Sequence, residues 1–142
     1  MPFYDINHCI PLTSSQKAAL AEKITYLHSR KFTTPSLFVN VAFHDSSKDE
    51  IYVGGKPKIF SSVFVRVRTG GTRKQEHFEE VCEEVMAVWD EVVNEGRNEK
   101  GLRELRLVVV QGVLTAGVEA GFRLPTVRHV QFLVPCIIMI CG

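Results

Sequence analysis

Pro2 is the residue of this sequence with the most distinctive chemistry, because it directly follows Met1. If Met1 is removed, Pro2 becomes the first residue and carries a free secondary amine. An ordinary α-amino group has a pKa of about 7.7–8.0, and burial lowers it by disfavouring the charged form. A buried N-terminal proline can therefore act as a general base near neutral pH. The alternative is that Pro2 is one of six prolines without a special role.

A second chemical feature is a glycine turn that leads into an arginine, at Gly70, Gly71 and Arg73. Glycine lets a ligand approach the backbone closely, and arginine can hold a carboxylate through two parallel hydrogen bonds. A helix that starts at this turn adds N–H donors and the positive end of its dipole. The segment predicts an anion-binding site. The alternative is a glycine turn followed by a solvated basic loop.

Arg66 and Arg68 alternate along a predicted strand, so both side chains are expected on one face of the sheet. If the helices leave that face open, the two arginines lie in the pocket or at a subunit interface. Their charge would then lower the pKa of a nearby proline amine and favour its basic form. The alternative is a pair of exposed arginines on a half-buried strand.

The elements that must position these residues begin with a strand over residues 3–10. Thr13 and Gln16 form a capping box that opens a helix, which continues at helical spacing. Residues 37–44 alternate and predict a second strand. The two glycines that follow Ile51 to Val53 predict the tight turn of a short hairpin.

The second half of the chain repeats this plan. Residues 62–68 alternate strictly and predict a strand, and residues 105–110 predict the last strand. Between them, Thr72 and Gln75 have the spacing of a second capping box at the start of an amphipathic helix.

Two fused β-α-β units predict an α/β sandwich in which a four-stranded mixed sheet carries both helices on one face. The opposite face of that sheet needs a cover, and another copy of the chain is the simplest one. The sequence therefore predicts a closed homo-oligomer.

Composition indicates a soluble globular domain, with 142 residues and a formal net charge of +1. A net charge this small does not indicate electrostatic attraction to nucleic acid or to a membrane. The four cysteines form neither a CxxC pair nor a metal-ligand spacing with histidine, so we expect no metal and no cofactor. Free thiols favour a reducing, cytoplasmic location.

The end of the sequence is unusual, because residues 130–142 carry no charge. This run is too short for a membrane span, which needs about 20 apolar residues, and Pro135 interrupts it. A buried terminal strand or an interface segment explains it. A fragment of a tail anchor or a wrongly predicted gene end is the alternative.

Four stretches, in this order and spacing, resemble the tautomerase superfamily and within it the cis-3-chloroacrylic acid dehalogenase group. They are the N-terminal proline, AEKITYLHSR, VFVRVRTGGTR and VEAGFRLP. The resemblance implies a tautomerase-like domain over residues 1–125, with β-α-β repeats at about 2–58 and 59–125. Residues 126–142 form an atypical apolar tail. The resemblance also implies a homotrimer.

The resemblance assigns roles to five residues of this sequence. It implies that Pro2 is the catalytic proline and that His28 and Arg73 bind the substrate carboxylate, with Arg68 as a further cation from the strand. It implies that Glu119 is the second catalytic residue, which activates water or serves as an auxiliary acid.

Two of these assignments have structural alternatives. His28 lies near the end of the predicted first helix, where a histidine commonly interacts with the helix dipole. Glu119 lies in a loop of small residues, where it can pair with Arg123.

The sequence departs from the family at two positions, since Gly70 stands near a second arginine of the family and Val108 near a tyrosine. The missing tyrosine weakens water activation, whereas tautomerisation needs only the proline and a clamp for the carboxylate. We therefore predict a cofactor-independent keto–enol tautomerase acting on a small 2-oxo or 2-hydroxy carboxylic acid. The alternatives are a cis-3-haloacrylate dehalogenase or hydratase, and an inactive oligomeric binding protein of the same fold.

Overall fold

The computed structural model describes residues 1–97, 101–112, 118–119 and 122–123, which form two β-α-β units with a short hairpin after each. The first unit and its hairpin consist of β1 (Phe3–His8), α1 (Ser14–Phe32), β2 (Asn40–Asp45), β3 (Tyr52–Val53) and β4 (Lys56–Pro57). The second unit and its hairpin consist of β5 (Ser61–Arg66), α2 (Gln75–Trp89), β6 (Leu105–Gln111), β7 (Val118–Glu119) and β8 (Phe122–Arg123).

The four long strands form one mixed sheet in the order β2-β1-β5-β6. The strands of each unit are parallel, as a crossover helix requires. The two units meet through the antiparallel pair of β1 and β5, whose register runs from Phe3 opposite Arg66 to Asn7 opposite Ser62. The predicted fold class, a four-stranded mixed sheet with two helices, is confirmed.

The core lies between the helices and one face of this sheet. Alternation sends Tyr4 and Ile6 of β1 to that face, beside Val65 and Val63 of β5. Each large apolar side chain buried there stabilises the fold by about 1.5–3 kcal/mol. The helices contribute fully buried residues at helical spacing, namely Leu20, Ile24, Val81, Val85 and Trp89.

The start and end of α1 follow directly from its sequence. The Gln16 backbone N–H donates to Thr13 Oγ1 at 3.1 Å, and the Thr13 N–H donates to Gln16 Oε1 at 3.0 Å. The predicted capping box is therefore confirmed. The helix ends where Thr33 adopts a left-handed conformation with φ 51°, and the Thr34 N–H bonds back to the Ser29 carbonyl at 3.2 Å.

The start of α2 differs from the prediction, because Thr72 does not cap it. Gly70 and Gly71, with φ values of 112° and 68°, extend the turn, and the helix begins only at Gln75. The N-cap is Lys74, whose backbone N–H donates to His77 Nδ1 at 3.1 Å. The side chain of His77, the third residue of the helix, thus accepts from the N-cap N–H, the role that the predicted capping box gave to Gln75.

Two strand boundaries also differ from the prediction. β2 begins at Asn40 rather than at residue 37, because Pro35 opens a 3₁₀ turn over Ser36–Phe38. β5 ends at Arg66, after which the chain enters the glycine turn. The alternation that would place Arg66 and Arg68 on one face therefore stops before Arg68.

The face of the sheet opposite the helices carries Phe3, Asp5 and Asn7 of β1. The Asp5 carboxylate there accepts from Arg66 of β5 at 2.6 Å and contacts His44 Nε2 of β2 at 2.9 Å. The Asp5 carboxylate therefore links β1 to both of its neighbouring strands on this face.

In the described part of the chain, no helix has the length and apolar character needed to cross a membrane. The boundary predicted at residue 125 and the apolar tail of residues 126–142 lie outside the described residues.

Candidate active site

Pro2 is buried at the start of β1, where β2 runs beside it. Its carbonyl accepts from the Asn40 backbone N–H at 3.1 Å and from the Asn40 side-chain amide at 3.4 Å. Met1 precedes it, so the Pro2 nitrogen in this chain belongs to a peptide bond and has no basic lone pair. The proline is therefore held at a fixed place, and removal of Met1 would expose its amine there.

His28 lies in the last part of α1, is 0% exposed, and faces β1. Its Nδ1 is 2.8 Å from the hydroxyl of Tyr4, and its Nε2 is buried without a hydrogen-bond partner among the described residues. Burial lowers the pKa of His28 to about 4, and the positive charges of Arg73 and the N-terminal amino group contribute. His28 is consequently a neutral imidazole at pH 7.

Tyr4 shares this buried environment and keeps its proton. Burial is the main cause that raises the pKa of the phenol, and the nearby Arg73 acts in the opposite direction. Its hydroxyl therefore retains a proton that it can donate, and it lies against the one ring nitrogen of His28 that has a partner among the described residues.

Arg73 lies in the loop between β5 and α2, and two contacts hold its guanidinium. One N–H donates to the Arg68 carbonyl at 2.7 Å, and the group stacks over the ring of Phe32 with Cζ 4.7 Å from the centroid. Burial lowers the pKa of Arg73, and the charge of Arg68 adds to this effect. Arg73 nevertheless remains a cation, because its ordinary pKa is far above neutrality.

The structure thus brings four predicted residues to one corner of the domain. Pro2 comes from the start of β1, His28 from the end of α1, and Arg68 and Arg73 from the loop before α2. Contacts made by Tyr4 and Phe32 link these elements to His28 and Arg73.

Sequence reasoning missed Tyr4 and Phe32, which complete this corner. Phe32, one turn further along α1, packs against His28 with tilted rings whose centroids are 4.7 Å apart, and Arg73 lies over the Phe32 ring. The spacing of His28 and Phe32, four residues apart, was the available signal. For Tyr4, the sequence offers only its position in the alternating apolar pattern of a strand.

Three positions considered in the sequence do not join the site. Arg66 binds Asp5 on the opposite face, and its side chain is 58% exposed. Gly70 is exposed with φ 112°, and Val108 lies half-buried in β6 against the core. The site therefore has neither the second loop arginine nor the tyrosine hydroxyl at these two positions.

Glu119 lies in β7, where it pairs with Phe122 of β8. The structure describes its backbone and not its side chain. Its role as the second catalytic residue stays a prediction.

A separate groove of about 1320 Å³ lies between α1 and α2 on their outer side. Its apolar lining includes Ala21, Leu27, Ala87 and Val88, and the 66% exposed Tyr26 stands at its edge. The groove does not include Pro2, His28 or Arg73, so it is distinct from the candidate active site.

The sequence matches the model of the Tautomerase_3 family, described as an oxalocrotonate tautomerase enzyme, over residues 1–131. No curated protein matches it closely enough to count as a relative.

Solved structures with the same fold are numerous, and three illustrate them. Leishmania major MIF2 is 17% identical, with a TM-score of 0.64 over 87% of this chain and 97% of the other. N1, from the cis-3-chloroacrylic acid dehalogenase family, is 20% identical, with a TM-score of 0.62 over 87% and 84%. The F6 fused 4-OT trimer is 12% identical, with a TM-score of 0.61 over 78% and 85%. At these identities the likeness establishes the fold.

Proposed function

Because the chain belongs to the Tautomerase_3 family, we propose that it is a cofactor-independent keto–enol tautomerase of a small 2-oxo or 2-hydroxy carboxylic acid. One observation carries the proposal, namely that buried Pro2 shares a corner with a stacked Arg73 and a neutral His28. A base, a fixed cation and a neutral donor are the groups that this proton transfer requires.

The base would be the Pro2 amine after Met1 has been removed. An ordinary α-amino group has a pKa of about 7.7–8.0, so some of it is neutral near physiological pH. The neutral amine takes the proton of the substrate's enol hydroxyl. The resulting ammonium returns a proton to the carbon end of the same conjugated system, so the net change moves one proton from oxygen to carbon.

The carboxylate would bind at Arg73. One of its five N–H donors is used by the Arg68 carbonyl, and stacking on Phe32 fixes the plane of the guanidinium. A carboxylate is a better acceptor than a peptide carbonyl, so the substrate can also draw the guanidinium away from Arg68. His28 and the Arg68 side chain would add a donor and a second positive charge, respectively.

The position of Val108 favours tautomerisation over hydrolysis. A dehalogenase or hydratase would use Glu119 to activate water with the help of a phenol, and Val108 provides an apolar side chain where the family has that phenol. Glu119 would then serve as an auxiliary acid.

An inactive binding protein is favoured by a different observation, since Gly70 and Val108 stand near positions where the family has an arginine and a tyrosine. A chain that retains Met1 could bind a small carboxylate at Arg73 without moving a proton.

We also propose a homotrimer, with the strand face that carries Phe3 and Asp5 turned toward the other subunits. The structurally similar fused 4-OT proteins F6 and Q0 are trimers, which supports this assembly. Analytical ultracentrifugation tests it, and a monomer at micromolar concentration would contradict it. The free thiols of Cys9 and Cys82 support a reducing, cytoplasmic location.

The decisive experiment combines the mass of the protein with its activity. Intact mass spectrometry before and after incubation with 3-bromopropiolate reports removal of Met1 and alkylation of the proline amine. Phenylenolpyruvate ketonisation, followed by absorbance, reports the reaction. We expect one adduct on Pro2 and a decrease in kcat/KM of about 10²–10⁴-fold in Pro2→Ala, the typical contribution of a general base.

Pro11→Ala is the matched control, because Pro11 is exposed beyond the end of β1. It should retain the wild-type rate. Equal rates for Pro2→Ala and Pro11→Ala would overturn the proposed function.

A further inference from the structure

Tyr4 and His28 form a buried pair whose second hydrogen-bonding end is left open. Both side chains are 0% exposed, the hydroxyl lies 2.8 Å from Nδ1, and the rings meet edge to face with centroids 5.7 Å apart. In the described part of the chain, Nε2 of His28 is buried without a partner. A buried polar atom in this state normally has a ligand or water to satisfy it.

The direction of the hydrogen bond follows from the count of unsatisfied groups. If Tyr4 donates to Nδ1, the only open group is the Nε2–H of His28. If Nδ1–H donates to Tyr4 instead, both the phenol proton and the Nε2 lone pair are open. Each unsatisfied buried group costs about 1–3 kcal/mol, so the first arrangement is favoured.

We propose that Tyr4 is a positioning residue whose hydroxyl donates to His28 Nδ1 and thereby fixes the imidazole proton on Nε2, as a donor for the ligand's oxygen. This inference rests on the proposed function, because it concerns the same anion site. The ligand class that fits is an acid whose oxygen at this position accepts, such as a carboxylate or a 2-oxo group.

The electrostatic surroundings agree with this assignment. Burial and the charge of Arg73 lower the pKa of His28 to about 4, and burial raises the pKa of Tyr4, so the pair is neutral at pH 7. A neutral imidazole has one N–H, and Tyr4 decides which nitrogen holds it. Arg73 and the N-terminal amino group add positive potential at His28.

Long-range ¹H–¹⁵N NMR spectra of the imidazole rings test the inference directly. In the wild-type chain at pH 7 we expect an unprotonated Nδ1 and a protonated Nε2 for His28. Tyr4→Phe removes only the hydroxyl and should shift His28 toward a mixture of the two tautomers. Tyr26→Phe removes the hydroxyl of a tyrosine in α1 that is 66% exposed, and it should leave the spectrum unchanged.

A proton on Nδ1 in the wild-type chain would overturn the inference, and this spectrum decides even if Tyr4→Phe does not fold. An unchanged tautomer in a folded Tyr4→Phe chain would overturn it as well. Neither result depends on the activity of Pro2, so failure here is distinguishable from failure of the proposed function.

Binding of phenylpyruvate, measured by calorimetry, tests the ligand part. We expect Tyr4→Phe to weaken binding by about 2–10-fold, the value of one neutral hydrogen bond, and Tyr26→Phe to bind as the wild type does. Equal affinities for the two variants would overturn the role of the Nε2–H in binding.

Discussion

The two β-α-β units share one architecture and contribute different chemistry to the site. The first unit carries Pro2 and the hydrogen-bonded pair of Tyr4 and His28, and the second carries the cations Arg68 and Arg73 in its loop. The cores of the units correspond, since each helix buries aliphatic residues against its own pair of strands.

One clear difference between the units lies in the segment that joins the first strand to the helix. The first unit passes from β1 to α1 through a compact capping box, whereas the second passes through a glycine turn that delays α2 and presents Arg73. The candidate site therefore combines core residues of the first unit, Tyr4 and His28, with a loop residue of the second, Arg73. The following tests separate the two units, from the largest expected effect to the smallest.

The buried His28 makes the stability of the first unit dependent on pH. Its pKa is about 4 in the folded chain and about 6.5 when exposed, so between these values the unfolded chain binds a proton that the folded chain excludes. Its contribution is full above pH 6.5 and is lost as the pH falls toward 4, by about 3 kcal/mol. Urea unfolding at pH 7 and pH 4.5 measures it.

His28→Gln is the reference for this measurement, because carboxylates such as those of Asp45 and Glu80 also lose their stabilising interactions in acid. The variant should lose less stability than the wild type over this range. Equal losses would show that His28 is not buried in its neutral form.

Arg73→Ala tests the contribution of the second unit to ligand binding. A hydrogen bond to a charged group is worth about 1.5–3 kcal/mol, so KM for phenylenolpyruvate should rise by about 10–150-fold. Arg106→Ala is the matched control, because Arg106 is exposed in β6 and also stacks on a phenylalanine, Phe60. A similar KM in both variants would remove Arg73 from the site.

The smallest effect compares the two helix starts. Thr13→Ala removes an N-cap and should lower the free energy of unfolding by about 1 kcal/mol. Thr72→Ala removes an exposed hydroxyl that caps nothing and should change it by less than about 0.5 kcal/mol. Chemical denaturation of both variants measures the difference, and equal losses would restore Thr72 as a cap.

The fold could be predicted because periodicity reports it locally. Alternation in β1 and β5 and helical spacing in α1 and α2 each record which face is buried. The capping box at Thr13 was equally local. The one at Thr72 was not, because the left-handed glycines before it decide where the helix can begin.

The candidate site could be predicted only where residue type and position were both unusual. Pro2 and Arg73 met this condition, and a chain of contacts from Tyr4 through His28 and Phe32 connects their two elements. Tyr4 and Phe32 have the pattern of core residues, and only distances reveal that one bonds His28 and the other supports Arg73. The assignment of Glu119 stays a prediction.

The two units are joined in the sheet by the antiparallel pair of β1 and β5, so the chain can be divided between them. Each unit is contiguous in sequence, and the segment between them passes through a hairpin turn at Gly54 and Gly55, where both φ values are positive and the residues are exposed. A polypeptide cut at this turn leaves two fragments, each with its own strand pair and helix. The five-residue antiparallel register of β1 and β5, together with the contact between α1 and α2, is the interface that two such fragments would have to re-form.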